Sequence, residues 1–262
     1  MKLLSIIIIV LVLSMVWSVD SRAKLHTETV EYKHGNTLLK GYLAYDDAIV
    51  GKRPGVLVVH EWWGLTDYIK GRTEQLARLG YIAFAIDMYG EGMIAKSPDE
   101  AGMLASMYRL DRQLMRSRAN AGLEVLRKQG LTDSKRIAAI GYCFGGGTVL
   151  ELARSGADIA GVVSFHGSLD NPHPEDAHNV KAKILVLHGA DDPYVTIEQV
   201  TAFWKEMMKT DADWQIHVYS GAVHSFTNPA SGNDKTKGVA YDEKADRRSW
   251  EDMKLFFSEI FR

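Results

Sequence analysis

The chain has 262 residues, 46% hydrophobic and 24% charged, enough for one sizeable globular domain. Thirty-one basic side chains against 33 acidic ones give a net charge of -2, with no basic stripe for nucleic acid and too small an acidic excess for disorder. A single cysteine excludes an internal disulfide framework.

The N-terminus reads separately. Lys2 precedes an apolar run from Leu3 to Val19, broken only by Ser5, Ser14 and Ser18, and Ser21-Arg22-Ala23 offers small residues where a signal peptidase reads. This pattern predicts a secretory signal over residues 1–23, cleaved after Ala23, so that the domain of residues 24–262 is exported, periplasmic or secreted. The alternative is an uncleaved anchor, since the run approaches the roughly 20 residues that span a bilayer. A membrane is a partner only in that case.

After Ala23 the pattern turns to strands. Thr27 to Tyr32 alternates, and Thr37 to Tyr45 follows the turn His34-Gly35-Asn36, which predicts an antiparallel hairpin. Gly55 to His60 is a continuous apolar run ending in histidine, as in a strand buried on both faces. Helical spacing from Asp67 to Leu79 leads to Gly80, and a second buried strand runs from Tyr81 to Ile86. Asp99 to Gln129 predicts one or two helices, and Met103, Met107, Leu110 and Leu114 within it are expected to face the sheet. Further strands are predicted at Ile137 to Ile140, Ile159 to Phe165, Ala182 to Leu187 and Trp214 to Tyr219. Helices are predicted after Cys143, at Thr196 to Lys209, and from Asp242 to the C-terminus. The loops Ser168 to Val180 and Asn228 to Gly238 both follow strands and are expected on the ligand-facing edge. Strands alternating with helices define a single-domain α/β fold, a mostly parallel eight-stranded sheet with helices on both faces.

The chemistry centres on Gly141-Tyr142-Cys143-Phe144-Gly145-Gly146-Gly147, a strand, a tight turn and a helix. G-x-C-x-G-G is the nucleophile-elbow pattern with sulfur in place of the usual oxygen. A helix N-terminus beneath the sulfur favours thiolate over thiol. Such a nucleophile needs a base, and the base an orienter. Gly189-Ala190-Asp191-Asp192 follows the seventh strand, where the spacing favours Asp192 as the acid and leaves Asp191 to cap the turn. His224, in Gly221-Ala222-Val223-His224-Ser225-Phe226, lies in the loop after the eighth strand. The order nucleophile, acid, histidine is that of the α/β-hydrolase fold. In that fold the N–H of Phe144 is half of an oxyanion hole, and the second N–H comes from the loop Glu61-Trp62-Trp63-Gly64. At least one of Trp62 and Trp63 is expected to line the site. His60, His166 and His188 each follow a strand, but their spacing matches no compact zinc motif, so neither metal nor other cofactor is expected.

Five motifs in order, His60-Glu61-Trp62-Trp63-Gly64-Leu65, Asp87-Met88-Tyr89-Gly90, the elbow, Asp191-Asp192-Pro193-Tyr194-Val195 and His224-Ser225-Phe226, resemble the dienelactone hydrolase family. The resemblance implies a triad of Cys143, His224 and Asp192, with Glu61 as a carboxylate that helps form the thiolate and the N–H groups of Trp62 and Phe144 as the oxyanion hole. Trp63 and Tyr89 fall in the expected substrate pocket. Where the enzyme that defines the family holds its substrate's carboxylate with two arginines, this chain has Glu91 and Asn228, and neither supplies a guanidinium fork. The expected activity is hydrolysis of a small ester or lactone through a thioester, by a monomer, on a substrate other than dienelactone. The competing expectation is a non-catalytic small-molecule-binding member of the fold. A redox-sensing cysteine is a third possibility, but it leaves His224 and Asp192 without a role.

Overall fold

Strand β1 (Leu25–His34) turns through Gly35 into β2 (Thr37–Asp46), and the two pair antiparallel from Leu25–Asp46 to His34–Thr37. Gly35 has a φ of 58°, the left-handed region that a tight hairpin turn requires. The remaining strands are β3 (Arg53–Val59), β4 (Ile82–Ile86), β5 (Thr132–Tyr142), β6 (Gly161–Phe165), β7 (Lys183–Gly189) and β8 (Trp214–Tyr219). They form one sheet in the order β1-β2-β4-β3-β5-β6-β7-β8, parallel from β4 onward. The structure, a computed structural model, describes residues 24–262, so the predicted signal segment lies outside the described residues.

Helices cover both faces because each central strand is apolar on both sides. Val56, Val58, Ala83, Ala85, Leu185 and Leu187 point to α1 (Asp67–Arg78) and α6 (Glu243–Ile260), through Ile69, Leu76, Met253 and Phe257. Leu57, Val59, Phe84 and Ile86 point the other way. They pack on α3 (Arg112–Lys128) and α4 (Phe144–Arg154), and α2 (Pro98–Leu110) and α5 (Ile197–Met207) add to the same hydrophobic cluster. Arg154, at the end of α4, is buried between Glu151 and Glu206 at 3.0 and 2.9 Å and so clamps α4 to α5. Removing one member of such a buried set costs about 3–5 kcal/mol, because a charge is left without its partner.

The stripe Met103, Met107 and Leu110 does not face the sheet, and this corrects the expectation from helical spacing. These side chains are 66%, 57% and 88% exposed. The inward face of α2 is Ala101, Ala105 and Tyr108, where two small residues allow close approach and the Tyr108 hydroxyl bonds the Met88 carbonyl. The region from Asp99 to Gln129 is two helices, because Asp111 breaks the first and caps the second by accepting from Leu114 N–H at 2.8 Å. Leu114 therefore belongs to a new phase. The two loops expected to be irregular contain short 3-10 turns, Pro174–Asn179 in one and Pro229–Ser231 and Lys235–Lys237 in the other.

The sheet changes direction between β3 and β5: β4 lies on one side of β3, and the chain then returns to its other side. Loops leaving the carboxyl ends of β3 and β5 diverge there, which makes a crevice where open α/β sheets bind ligands. Below that divergence, glycine lets the start of α4 lie against the end of β3. A Cβ on Gly145 would lie 2.7 Å from His60 O and closer still to Val59 O. Gly145→Ala is therefore expected to destabilise the chain by about 3 kcal/mol or more, a Tm lower by roughly 6–12 °C in thermal unfolding. Gly102, inside α2 with nothing within 4 Å of its Cβ position, is the opposite case. Gly102→Ala is expected to raise stability by about 0.5–1 kcal/mol in the same measurement.

Candidate active site

Cys143 is the residue between β5 and α4, with φ 53° and ψ -112°. That is strained backbone for a residue with a Cβ, of order 1–3 kcal/mol. It turns the chain sharply enough to present the half-buried thiol above the sheet at the N-terminus of α4. Gly146 makes the turn possible: a Cβ there would lie 2.7 Å from Gly167 Cα. The Cys143 N–H donates to Phe165 O at 3.0 Å and to His166 Nδ1 at 3.2 Å.

Asp192 and His224 come together because β7 and β8 are neighbours. Asp191 N–H donates to Ala222 O at 3.0 Å, which joins the loops that leave these strands. The His224 Nδ1–H donates to Asp192 Oδ2 at 2.7 Å, leaving Nε2 as the nitrogen for the thiol. Asp192 Oδ1 accepts from Tyr194 N–H at 2.9 Å and Val195 N–H at 3.1 Å. The same carboxylate thus caps its own turn and holds the imidazole, while Asp191 is exposed. Burial works against a charged His224 ring. The nearby Cys143 sulfur and the Asp192 carboxylate outweigh it and raise its pKa well above the ordinary histidine range.

Glu61 is buried at the end of β3. Its carboxylate accepts from Ser225 Oγ at 2.9 Å and from Asn228 Nδ2 at 2.7 Å. Burial raises its pKa above the usual carboxylate value, against the pull of those two bonds and of His224 and Arg72. The peptide joining Glu61 to Trp62 is braced on its oxygen side: Glu61 O accepts from His60 Nδ1–H at 2.5 Å and from Gly64 N–H at 3.2 Å. His60 in turn accepts the Met88 N–H at Nε2, 3.3 Å away, and burial lowers its pKa. Among the described residues, neither the Trp62 nor the Phe144 N–H has a hydrogen-bond partner.

Aromatic side chains cluster on the loops beside these groups. Trp62 and Trp63 meet edge to face at 5.1 Å, and Tyr89 donates its hydroxyl to Trp62 O at 2.8 Å. Burial first, and the Cys143 sulfur second, raise the pKa of Tyr89, whose ring lies 4.8 Å from that of His60 and 5.8 Å from that of Phe144. Tyr194, 57% exposed, stands edge-on to His224 at 5.4 Å. Glu91 has its carboxylate 64% exposed and 3.7 Å from Lys40 Nζ. Asn228 is buried and bonds Glu61. Among the described residues, no cluster of three or more His, Cys, Asp or Glu side chains is arranged to hold a metal ion.

Several neighbours had no assigned role in the sequence. Ser225, at φ 59°, sat inside a recognised motif, yet its bond to Glu61 spans 164 positions of chain. His166 and Thr227 were visible only as strand-end and loop residues. Arg72 carried one signal, a charged residue on the buried face of α1 between Ile69 and Leu76.

An eight-stranded, mostly parallel sheet with a cysteine elbow after β5, an acid after β7 and a histidine after β8 defines the α/β-hydrolase class. Within it, this chain belongs to the dienelactone hydrolase family, whose model matches residues 39–261. Protein usf of Aquifex pyrophilus is 30% identical over 237 residues, 88% of this chain and 98% of that protein. A protein of Aquifex aeolicus named "Putative carboxymethylenebutenolidase" is 30% identical over 240 residues, 90% and 99% of the two chains. A crystal structure of a dienelactone hydrolase-like promiscuous phosphotriesterase from metagenomic libraries superposes with a TM-score of 0.87 at 40% identity, covering 92% of this chain and all of that one.

The raised Glu61 gives a pH-dependent prediction. A carboxyl with a higher pKa in the folded than in the unfolded chain stabilises the fold at low pH, and this contribution is lost as pH rises through the folded value. Glu61→Gln has no such proton to lose. The Tm of Glu61→Gln minus that of the wild type is therefore expected to become more positive from about pH 5 to about pH 8, read by thermal unfolding in both buffers.

Proposed function

We propose that the chain hydrolyses small, uncharged esters or lactones through a thioester on Cys143. The observation that carries this reading is His224, bonded to Asp192 through Nδ1 and raised by a sulfur held at a strained elbow. The thiol proton passes to His224 Nε2 as Cys143 Sγ attacks the carbonyl carbon. The oxygen gains the negative charge and accepts from the N–H groups of Phe144 and Trp62. Collapse breaks the bond to the alcohol oxygen, which leaves with the proton from His224. For a lactone the ring opens and the alcohol stays on the acyl chain. Water then attacks the thioester, giving its proton to His224, and the acid departs as the thiol is restored. Asp192 keeps the imidazole in the Nδ1–H tautomer and offsets its charge. Glu61 supplies the carboxylate that assists thiolate formation, with Ser225 and Asn228 holding it in place.

Substrate charge follows from the walls. Trp62, Trp63, Tyr89 and Tyr194 present aromatic surface, and the two positions of the family's carboxylate-binding arginines are Glu91 and Asn228. A substrate carboxylate has no guanidinium to meet there. A second reading is favoured by the 40% identity to the phosphotriesterase structure: a phosphotriester is also an uncharged ester, and its P=O oxygen suits the same two N–H donors. The N-terminal pattern supports export with cleavage after Ala23. N-terminal sequencing of the exported protein is expected to begin at Lys24, and a start at Met1 overturns this part.

The expected result is turnover of p-nitrophenyl acetate, with Cys143→Ala lowering kcat by roughly 10⁴-fold and mass spectrometry finding the acyl group on Cys143. Neutral aryl esters are expected to exceed anionic ones in kcat/KM by about tenfold or more. A diethyl aryl phosphate measured beside them reads the second reading directly. Unchanged turnover in Cys143→Ala overturns the mechanism, and no turnover with a thiol inert to iodoacetamide favours the binding module.

A further inference from the structure

Strand β6 lies between β5, which carries the cysteine elbow, and β7 and β8, whose loops carry Asp192 and His224. The residue that follows β6 is His166, fully buried, with φ 40°. Left-handed backbone is unfavourable for a residue with a Cβ, so surrounding contacts must hold it there. Both ring nitrogens are bonded, and to different loops. Nδ1 accepts the Cys143 N–H at 3.2 Å, and Nε2 lies 2.7 Å from Thr227 Oγ1. Because Nδ1 accepts, the ring is the neutral Nε2–H tautomer and Nε2 donates to Thr227. The ring also stands edge-on to His224, with centroids 5.3 Å apart, and edge-on to Phe226 at 5.1 Å.

We propose that His166 is a positioning residue for the reaction, a strut one imidazole wide that sets the approach of the Cys143 sulfur to the His224 ring. The proposal rests on the thioester reading above, since it assumes that these two groups react. No proton passes through His166. Its part is to fix the peptide plane of the nucleophile on one side and the loop of the base, three residues beyond His224, on the other.

The strut has a foundation. The Tyr68 hydroxyl is 2.6 Å from Thr227 Oγ1, and Arg72 Nη2 donates to Thr227 O at 2.7 Å and also to Asp246. Tyr68 and Arg72 belong to α1 and Asp246 to α6, so the histidine loop is tied to two helices on one face of the sheet. Burial, with the His224 charge second, holds the His166 pKa well below the ordinary range. Its neutrality keeps a second positive charge away from the ring that must accept the thiol proton. The Cys143 N–H has Phe165 O as another acceptor at 3.0 Å, so losing His166 removes direction and leaves that donor bonded.

His166→Phe keeps the ring's breadth and removes both nitrogens. Two rates on the full chain test it: alkylation of Cys143 by iodoacetamide, and kcat for p-nitrophenyl acetate. Both are expected to fall roughly 10- to 100-fold, the scale of a nucleophile displaced by about an ångström, with KM within about twofold and far-UV circular dichroism unchanged. His166→Asn places an amide oxygen near the position of Nδ1 and is expected to recover part of both rates. Thr227→Val, near-isosteric and without an acceptor for Nε2–H, is expected to lower both rates less, and it decides the matter if His166→Phe does not fold. A folded His166→Phe with both rates within about twofold of wild type overturns the proposal. So does a loss confined to KM, or an Asn variant no better than Phe. Alkylation needs no ester, so a wild-type chain without turnover overturns the thioester reading while the strut is still tested.

Discussion

A residue with a Cβ at φ 53°, wedged between strand β5 and helix α4, is the constraint on which the rest of the site depends. Nothing local favours that conformation, and the surrounding backbone compensates it. Gly145 lets α4 press against the end of β3, and Gly146 lets it press against Gly167. The Cys143 N–H is held from β6 by Phe165 and His166. Strain at one residue is thus met by contacts from the ends of two neighbouring strands, β3 and β6, which over-determine the turn.

The same packing fixes the two peptides whose N–H groups are proposed as the oxyanion donors. Phe144 is the first residue of α4, so its N–H points out of the helix start with no intrahelical acceptor. Trp62 gains its orientation differently. The carbonyl of its preceding peptide takes bonds from His60 and Gly64, and its own carbonyl takes one from Tyr89. Bonds to an amide oxygen both fix its plane and polarise its N–H. One donor is therefore set by helix geometry and the other by a buried histidine and a tyrosine.

All eight strands were legible in the sequence, because each carries a continuous apolar run or a clear alternation, and so were the helical regions, except that Asp99 to Gln129 read as one or two helices until Asp111 was seen to divide it. The elbow was legible for the same local reason: its glycines, Cys143 and Phe144 lie within seven consecutive residues. The facing of α2 was not, since Met103, Met107 and Leu110 have the right period and the wrong phase. Period is a property of the helix alone. Phase is decided by the partner, which here accepts Ala101 and Ala105 because only small residues allow the approach. The partners of Glu61 were hidden for a related reason. Ser225 and Asn228 are ordinary loop residues until the loop after β8 reaches across the ends of the intervening strands to the end of β3, and no local pattern encodes a contact 164 or 167 positions away.

Charge in this site is confined by burial. His60, His166 and His188 are pushed down and Glu61 is pushed up, each toward its neutral form and each first by loss of water. His224 moves against burial, because the sulfur and Asp192 flank it. In the proposed reaction, a proton moving from thiol to imidazole would separate charge among three groups already arranged to hold it, in surroundings that discourage any further ion. An anionic substrate would bring a fourth charge into that space, with Glu91 already beside Lys40 and Asn228 already bonded to Glu61. On the proposed reading, an uncharged ester would develop its negative charge only at the oxygen that accepts from the Phe144 and Trp62 N–H groups, after binding is complete, so its attraction to the site would be strongest in the transition state.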